Sequence, residues 1–275
     1  MSSLKVVIST PVDDNLYSLL VTKMCIDEPG VQVVGVFSLK VWSISRLKVE
    51  FKRLRKSILS KVWLKFFVPK NQSNNKVSNK IESDLRHKYE LTNSSLKALC
   101  GGNNINFIKT DGPNNKETIS FVTKLEPDII LSIGSVILKD EFIGLPKKGV
   151  LNVHMGILPE YRGIGVTEWP ILDSDSLETI NLGVTLHFVE RGVDTGPILL
   201  KKTISLKGLK DINDLEDKYL PLMVDTMHEG IKMIRDNKQS QMIQSSSAGK
   251  QFFYLHNRLR EKAENKLKEL LKNDR

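Results

Sequence analysis

The first third of the chain alternates compact apolar runs with a segment of helical periodicity. Apolar residues fill most of positions 4–10 and 31–37, whereas they recur every three or four residues between 13 and 25. Compact runs of this length predict buried strands, and the recurring pattern predicts a helix. The order is therefore β-α-β, which is the opening of an α/β fold.

The same alternation continues to the C-terminal end. It predicts strands over residues 105–109, 129–133, 150–154, 183–189 and 198–204, and helices over part of 80–99 and over 116–125, 139–145, 211–237 and 255–271. Alternating strands and helices predict an α/β fold with a doubly wound, mostly parallel sheet. We expect a core over residues 1–210, with a basic helical insert at about 40–100, and a C-terminal helical extension over 211–275.

The positive charge is concentrated in the predicted insert. The 275 residues include 41 Lys+Arg and 32 Asp+Glu, and ten basic residues but only one acid, Glu50, fall between positions 40 and 70. Apolar residues at helical spacing in this stretch can pack on the core, or can lie on an anionic membrane surface or against an acidic partner. We favour packing on the core, and because charge is balanced elsewhere, no nucleic-acid partner is expected.

Several classes of protein are not indicated. No window approaches the roughly 18 consecutive apolar residues of a membrane span, and the start of the chain lacks the apolar region of a signal peptide. Cys25 and Cys100 are the two cysteines, so we expect a cytoplasmic protein without a disulfide framework. No phosphate loop and no His-Glu-x-x-His occurs, and neither nucleotide-driven nor metal-driven chemistry is indicated.

Polar residues cluster at the end of one predicted strand. Asn152 and His154 share a face of that strand because strand side chains alternate. Asp194 lies between Gly192 and Gly196 in a predicted tight loop. His154 alone would more often be a core histidine, and Asp194 alone a turn residue. Their occurrence together with Asn152 indicates a site.

The pattern resembles the folate-dependent formyltransferase family over about residues 100–206. The matching positions are Asn152, His154, Leu158-Pro159, Arg162-Gly163, Gly183-Val184-Thr185 and Asp194-Thr195-Gly196-Pro197-Ile198. The resemblance implies a Rossmann-like enzyme that transfers a formyl group from 10-formyltetrahydrofolate to a primary amine through a tetrahedral intermediate, without a metal. His187 also matches a position that is often histidine in the family, and because strand alternation leaves its facing ambiguous we expect it either to support the catalytic residues or to have a structural role.

The resemblance also implies roles for individual residues. Asn152 and His154 would donate hydrogen bonds to the oxyanion, each worth roughly 10²–10³ in rate, and Asp194 would accept or relay a proton and hold His154 protonated. The pterin side would be lined by Ile133, Gly134, Ser135, Val136, Ile137, Leu138, Val193 and Thr195. The acceptor side would be lined by Thr10, Pro11, Arg162 and Gly163.

Departures from the family pattern guide the choice of acceptor. Met155-Gly156 replaces the Pro-Ser or Gly-Ser of many members, and the loop 9–13 lacks the glycine- and asparagine-rich phosphate cradle of the glycinamide ribonucleotide enzymes. Fewer than forty residues follow residue 237, too few for the β-barrel of the methionyl-tRNA branch. We therefore expect a small-molecule amine, most simply a nucleotide-linked amino sugar, with glycinamide ribonucleotide and methionyl-tRNA as alternatives.

Two further functions stay open. The same residues could transfer the formyl group to water, which would make the protein a 10-formyltetrahydrofolate hydrolase. A non-catalytic relative could instead bind an acidic partner or a membrane through the basic stretch 40–70. A homodimer is compatible with the sequence.

Overall fold

A computed structural model of the chain describes residues 3–13, 15–40, 78–91, 94–134, 136–245, 248–253 and 255–273. Most of the predicted basic insert, residues 41–77, lies outside these ranges, as does Ser135 of the predicted pterin loop. The helical character of the stretch 40–70 and its contact with a membrane or partner therefore stay predictions.

The described elements follow the predicted order closely. The strands are β1 (Leu4–Thr10), β2 (Val31–Leu39), β3 (Asn106–Thr110), β4 (Ile129–Ser132), β5 (Val150–His154), β6 (Tyr161–Gly163), β7 (Gly183–Phe188), β8 (Ile198–Thr203) and β9 (Lys250–Phe252). The helices are α1 (Leu16–Asp27), α2 (Asn79–Lys88), α3 (Leu96–Gly102), α4 (Lys116–Leu125), α5 (Asp140–Ile143), α6 (Glu168–Asp173), α7 (Ile212–Arg235) and α8 (Asn257–Asn273). β1, β5 and α4 have the predicted bounds, whereas β6, β9 and α6 were not predicted.

The predicted doubly wound, mostly parallel sheet is confirmed. Seven of the described strands form one sheet in the order β3-β2-β1-β4-β5-β7-β8. The five strands from β3 to β5 are parallel, and β7 and β8 are added to this sheet in antiparallel fashion. The short strands β6 and β9 pair separately, parallel to each other. The carboxyl ends of β1, β4 and β5 therefore meet at one edge, where this class of sheet binds ligands.

The sheet is buried on both faces, which explains the continuous apolar runs of its strands. In β4, Ile129 and Leu131 point into one apolar cluster, and Ile130 points into a second cluster on the opposite face. Helices α1, α7 and α8 contribute to the first cluster, and α4 and α5 to the second. Helices thus cover both faces, as expected for a doubly wound fold.

The predicted C-terminal extension begins with a helix that packs on the sheet. Asp211 caps α7, and its side chain accepts hydrogen bonds from the backbone N–H groups of Asn213 and Asp214. The apolar side of α7 and three residues of α8, Ala263, Leu267 and Leu271, are buried in the first cluster. The predicted boundary at residue 210 falls between β8 and α7. None of the described helices is long and apolar enough to span a membrane.

Between α7 and α8 the chain pairs with the start of β8 and with β6. We call residues 238–253, apart from 246 and 247, which are not described, the crossing segment. Its Met242 pairs with Ile198 at the start of β8 through two backbone hydrogen bonds of 2.8 Å, and its β9 pairs with β6. The crossing segment is thereby held against the loops that follow β5 and β7.

Candidate active site

The end of β5 carries two polar side chains on one face. Val150, two residues before Asn152, points into the second apolar cluster, so Asn152 and His154 lie on that same face. On the neighbouring strand β7, Thr185 is paired with His154 and His187 with Asn152. The antiparallel register therefore places His187 beside the predicted site, and this settles the facing that strand alternation left ambiguous.

The loop after β7 brings Asp194 to these side chains. Asp194 has a φ of +53°, a left-handed conformation that aspartate tolerates better than most residues. Its Oδ2 accepts a hydrogen bond of 2.8 Å from the backbone N–H of Gly163 and lies 3.5 Å from His154 Nδ1. Its Oδ1 lies 3.7 Å from His187 Nε2. The structure thus brings Asn152, His154 and Asp194 together around His187.

His187 is held as a neutral imidazole. Burial lowers its pKa to about 4, and the neighbouring His154 contributes in the same direction, against the opposing effects of Asp194 and of the Phe188 carbonyl. Nδ1 lies 2.8 Å from the Phe188 carbonyl oxygen and therefore carries the proton. Nε2 is then an acceptor for the Asn152 side-chain amide, whose Nδ2 lies 3.3 Å away. At neutral pH the His187–Asp194 contact is accordingly not an ion pair.

His154 is oriented by two acceptors. Its Nε2 lies 2.7 Å from the carbonyl oxygen of Tyr161, so this nitrogen carries a hydrogen and donates a hydrogen bond to that oxygen. Its Nδ1 faces Asp194, and a protonated imidazole would donate to that carboxylate. The sequence-based prediction has His154 donating to the substrate oxyanion, and in this arrangement it can do so only by exchanging the Tyr161 partner.

The loop after β5 is shaped by Thr185 and closes tightly on His154. The Thr185 hydroxyl donates to the Gly156 carbonyl at 2.7 Å and accepts from the Leu158 N–H at 3.1 Å. A Cβ at Gly156 would lie 2.9 Å from His154 Nε2 and 3.0 Å from the Tyr161 carbonyl oxygen. Gly156 therefore leaves room for the imidazole in this position.

The predicted pterin-side residues divide into a buried and an exposed group. Ile133 and Leu138 are buried in the core, Val136 and Thr195 are half-buried, and Gly134 is exposed. Ile137 is 81% exposed and Val193 is 37% exposed. The two loops that carry them are adjacent, because Arg191 Nη1 lies 3.8 Å from Asp140 Oδ2.

The predicted acceptor-side residues are mostly internal. Thr10 is fully buried, and its hydroxyl donates to the Val12 carbonyl and lies 2.6 Å from the Ser18 hydroxyl. Pro11 and Gly163 are half-buried. Arg162 is 7% exposed, and its Nη2 contacts Gln244 Oε1 at 3.4 Å and the Ser245 carbonyl at 3.3 Å.

The contacts that His187 and Gln244 make in the site were not predicted from the sequence. For His187 the available signal was its match to a position that is often histidine in the resembling family, and its pairing with Asn152 appears only in the sheet register. Gln244 lies in an aperiodic polar stretch that gave no signal. Over the part of the chain that the structure describes, no group of three or more His, Cys, Asp or Glu side chains could hold a metal ion.

Comparison with known proteins identifies the family. Residues 31–230 match the family model described as formyl transferase. The chain belongs to the formyl transferase family. The family resemblance inferred from Asn152, His154 and Asp194 is thereby confirmed.

Formyl transferase relatives with curated descriptions match over part of their length. A methionyl-tRNA formyltransferase from Clostridioides difficile is 30% identical over 157 residues, which are 57% of this chain and 50% of that protein. One from Trichlorobacter lovleyi is 34% identical over 123 residues, 44% of this chain and 38% of that protein. The chain spans about half the length, or less, of the curated relatives it matches.

Solved structures of formyl transferases share the fold at low sequence identity. An N-formyltransferase from Helicobacter canadensis in complex with folinic acid and dTDP-3-aminofucose aligns with a TM-score of 0.55 at 18% identity, covering 90% of this chain and 70% of that one. A glycinamide ribonucleotide transformylase from Symbiobacterium toebii aligns with a TM-score of 0.54 at 12% identity, covering 88% and 95%. These similarities establish the fold.

Proposed function

We propose that this protein transfers the formyl group of 10-formyltetrahydrofolate to a primary amine. The observation that carries the proposal is the convergence of three side chains. The Asp194 carboxylate lies 3.5 Å from His154 Nδ1, and the Asn152 amide is held beside them by His187. A carboxylate, an imidazole and an amide donor in one place can manage the proton and the negative charge of acyl transfer to an amine.

The pterin side fits a flat, largely apolar ring system. Ile137 and Val193 expose apolar surface on two adjacent loops, and the buried Ile133 and Leu138 support one of those loops from the core. The Asn114 side chain fixes the same loop by donating to the Ile137 carbonyl and accepting from the Lys139 N–H, each at 2.8 Å. These residues would hold the folate co-substrate, which supplies the formyl group.

These residues support a reaction in which atoms and protons balance at each step. The neutral amine nitrogen forms a bond to the formyl carbon, and the carbonyl electron pair moves onto oxygen. Asn152 Nδ2 carries two hydrogens, and one of them remains for this oxygen while the other is held by His187. Asp194 takes the proton that the amine loses, directly or through a water. When the carbonyl re-forms, the bond to the folate nitrogen breaks and that nitrogen receives the proton.

We propose a nucleotide-linked amino sugar as the acceptor. The loop after β1 supports this choice over glycinamide ribonucleotide, because residues 9–13 lack the glycine- and asparagine-rich phosphate cradle that the resemblance implies for the glycinamide ribonucleotide enzymes. The shared fold with an N-formyltransferase solved with folinic acid and dTDP-3-aminofucose is in keeping with it. Methionyl-tRNA is the second candidate, favoured by the 30% identity to a methionyl-tRNA formyltransferase.

Formyl transfer can be measured directly. The purified protein is mixed with 10-formyltetrahydrofolate and, in separate reactions, with nucleotide-linked amino sugars, glycinamide ribonucleotide, methionyl-tRNA or no acceptor, and release of tetrahydrofolate is followed by absorbance. We expect release with an amino sugar and a mass increase of one formyl group on the product. Asp194→Asn should reduce kcat by about 10²–10⁴, and Asp175→Asn, on an exposed turn, should not.

The other outcomes would each contradict the proposal in a different way. Release at the same rate without an acceptor would make the protein a hydrolase. Release with methionyl-tRNA alone would keep the chemistry and replace the acceptor. If no acceptor supports release and Asp194→Asn behaves as the wild type in every assay, formyl transfer is not the function of this site.

A further inference from the structure

The crossing segment reaches the loop that carries Asp194. Its Met242 is anchored to Ile198 by two backbone hydrogen bonds, and Ile198 lies four residues after Asp194. Two residues beyond Met242, the half-buried side chain of Gln244 points at this loop, whereas Gln241 on the same segment is exposed. The geometry therefore gives one glutamine of the crossing segment a contact that its neighbour does not have.

Both hydrogens of the Gln244 amide are used to hold the loop. Nε2 donates to the carbonyl oxygen of Asp194 at 3.0 Å and to that of Gly196 at 2.6 Å. The acceptor end of the same side chain, Oε1, faces Arg162 Nη2 at 3.4 Å. Because Gln244 spans the two carbonyls, it fixes the backbone on both sides of Thr195.

The Asp194 loop needs such a restraint. A left-handed conformation of a residue other than glycine costs roughly 1–2 kcal/mol, and Asp194 adopts it with a φ of +53°. The direction of its carboxylate follows from this backbone geometry. The carboxylate itself is fixed from the other side by the N–H of Gly163, the residue next to Arg162. The Asp194 backbone is thus held by Gln244, and the Asp194 carboxylate is held by the N–H of Gly163.

We propose that Gln244 is a positioning residue that sets the distance between the Asp194 carboxylate and the His154 imidazole. The proposal rests on the function proposed above, because the Asp194 carboxylate takes the proton of the acceptor amine, and its position beside His154 decides how readily it can do so. Arg162 belongs to the same network: its guanidinium is buried at 7% exposure and contacts Gln244 and the Ser245 carbonyl. Its role is then to hold the crossing segment, alongside any contact with the acceptor.

Two measurements test the proposal with Gln244→Ala and, as the matched control, Gln241→Ala. The first is amide hydrogen exchange over residues 190–198, which reports local opening of the loop whether or not the protein is active. We expect exchange at least about tenfold faster in Gln244→Ala and unchanged in Gln241→Ala. The second is steady-state kinetics, in which Gln244→Ala should lower kcat by about 10- to 100-fold while KM for both substrates changes by less than about threefold.

A double-mutant cycle separates positioning from general loss of stability. Asparagine also tolerates the left-handed conformation, so Asp194→Asn removes the charge and keeps the loop. If Gln244 acts through the Asp194 carboxylate, adding Gln244→Ala to Asp194→Asn should lower kcat by less than about threefold, much less than in the wild type. Gln244→Glu keeps the length of the side chain and removes the two N–H donors, and it should behave as Gln244→Ala does.

Each contrary result would contradict one defined part of the proposal. Unchanged exchange over residues 190–198 in Gln244→Ala rules out the restraint on the loop, independently of activity. Faster exchange with an unchanged kcat in an active enzyme rules out positioning, as does an additive double mutant. A wild-type protein that formylates no acceptor overturns the proposed function instead, and the hydrogen-exchange result then still decides whether Gln244 holds the loop.

Discussion

Asn152 on β5 and His187 on β7 face each other across an antiparallel strand pair, and their side chains meet at 3.3 Å. The hydrogen bond between His187 Nδ1 and the Phe188 carbonyl fixes the tautomer, so Nε2 can only accept. Because His187 Nε2 is an acceptor, the end of the Asn152 side chain that faces it must be the amide nitrogen, Nδ2. His187 therefore orients the donor that the proposed reaction uses.

Replacing His187 by leucine should impair catalysis more than binding. His187→Leu removes the acceptor and leaves Asn152 free to rotate, so we expect kcat for formyl transfer to fall by about 10- to 100-fold with KM changed by less than about threefold. His87→Leu, at an exposed histidine of α2, is the control. Equal kinetics for the two variants would show that Asn152 is oriented by other contacts.

The buried neutral state of His187 should also make folding stability depend on pH. Its pKa is lowered to about 4 in the folded protein, and the ordinary value is about 6.5. Because the unfolded chain takes up the proton first, stability is fully present above about pH 6.5 and is lost as the pH falls toward 4, by roughly 2–3 kcal/mol from this group.

Urea unfolding of the wild type and of His187→Leu between pH 4 and 7.5 measures this dependence. The difference in the free energy of unfolding between the two proteins should change by roughly 2–3 kcal/mol, to the disadvantage of the wild type at low pH. A difference that is constant over this range would mean that His187 titrates alike in the folded and unfolded chains.

How far the sequence determines the fold can be judged from individual elements. The bounds of β5 were predicted correctly because the apolar residues Val150, Leu151 and Val153 lie between a glycine and a loop, which is a local signal. β6 and β9 have three residues each, and they pair residues about ninety positions apart. Pairing of that kind leaves no periodicity in either segment, so these strands could not be predicted.

The site was predictable to the extent that it depends on residue type and strand alternation. The alternation of strand side chains predicted that Asn152 and His154 share a face. The glycine-flanked loop, together with the family resemblance, predicted that Asp194 belongs to the same site. The position of His187 depends on the register between β5 and β7, and the contact of Gln244 depends on the path of the crossing segment. The inward direction of the Thr10 hydroxyl likewise could not be predicted, because it depends on the tertiary contact with the Ser18 hydroxyl.

Gly156 offers a test of how closely the loop fits His154. A serine at this position would place its Cβ 2.9 Å from His154 Nε2 and 3.0 Å from the Tyr161 carbonyl oxygen, so the imidazole or the loop must shift. We expect Gly156→Ser to destabilise the protein by about 1–3 kcal/mol and to lower kcat by at least about tenfold, because the His154–Asp194 contact is disturbed. Thermal unfolding and formyl-transfer kinetics measure the two effects.

Gly112→Ser is the control for this substitution, since a Cβ at Gly112 has no heavy atom within 4 Å among its described neighbours. If Gly156→Ser is as stable and active as the wild type, His154 does not depend on the space that Gly156 leaves, and the Tyr161 contact is easily exchanged.

The contact between α8 and the rest of the molecule should respond to pH through Glu216. Burial raises the pKa of Glu216 to about 7, the carboxylates of Glu168 and Glu264 contribute in the same direction, and Arg260 opposes them. A carboxyl group whose pKa is raised on folding favours the folded state while it is protonated. Its contribution is therefore present below about pH 4.5 and is lost as the pH rises through 7.

Glu216→Gln keeps the shape of the side chain and removes the charge. Arg260 keeps its contact with Glu168 at 3.2 Å, so we expect the variant to be more stable than the wild type at pH 8, by on the order of 1–3 kcal/mol, and equally stable at pH 4.5. Urea unfolding across this range gives the comparison, with Glu261→Gln on the exposed side of α8 as the control. A variant that is less stable than the wild type at pH 8 would mean that the ion pair with Arg260 outweighs the cost of burying the Glu216 carboxylate.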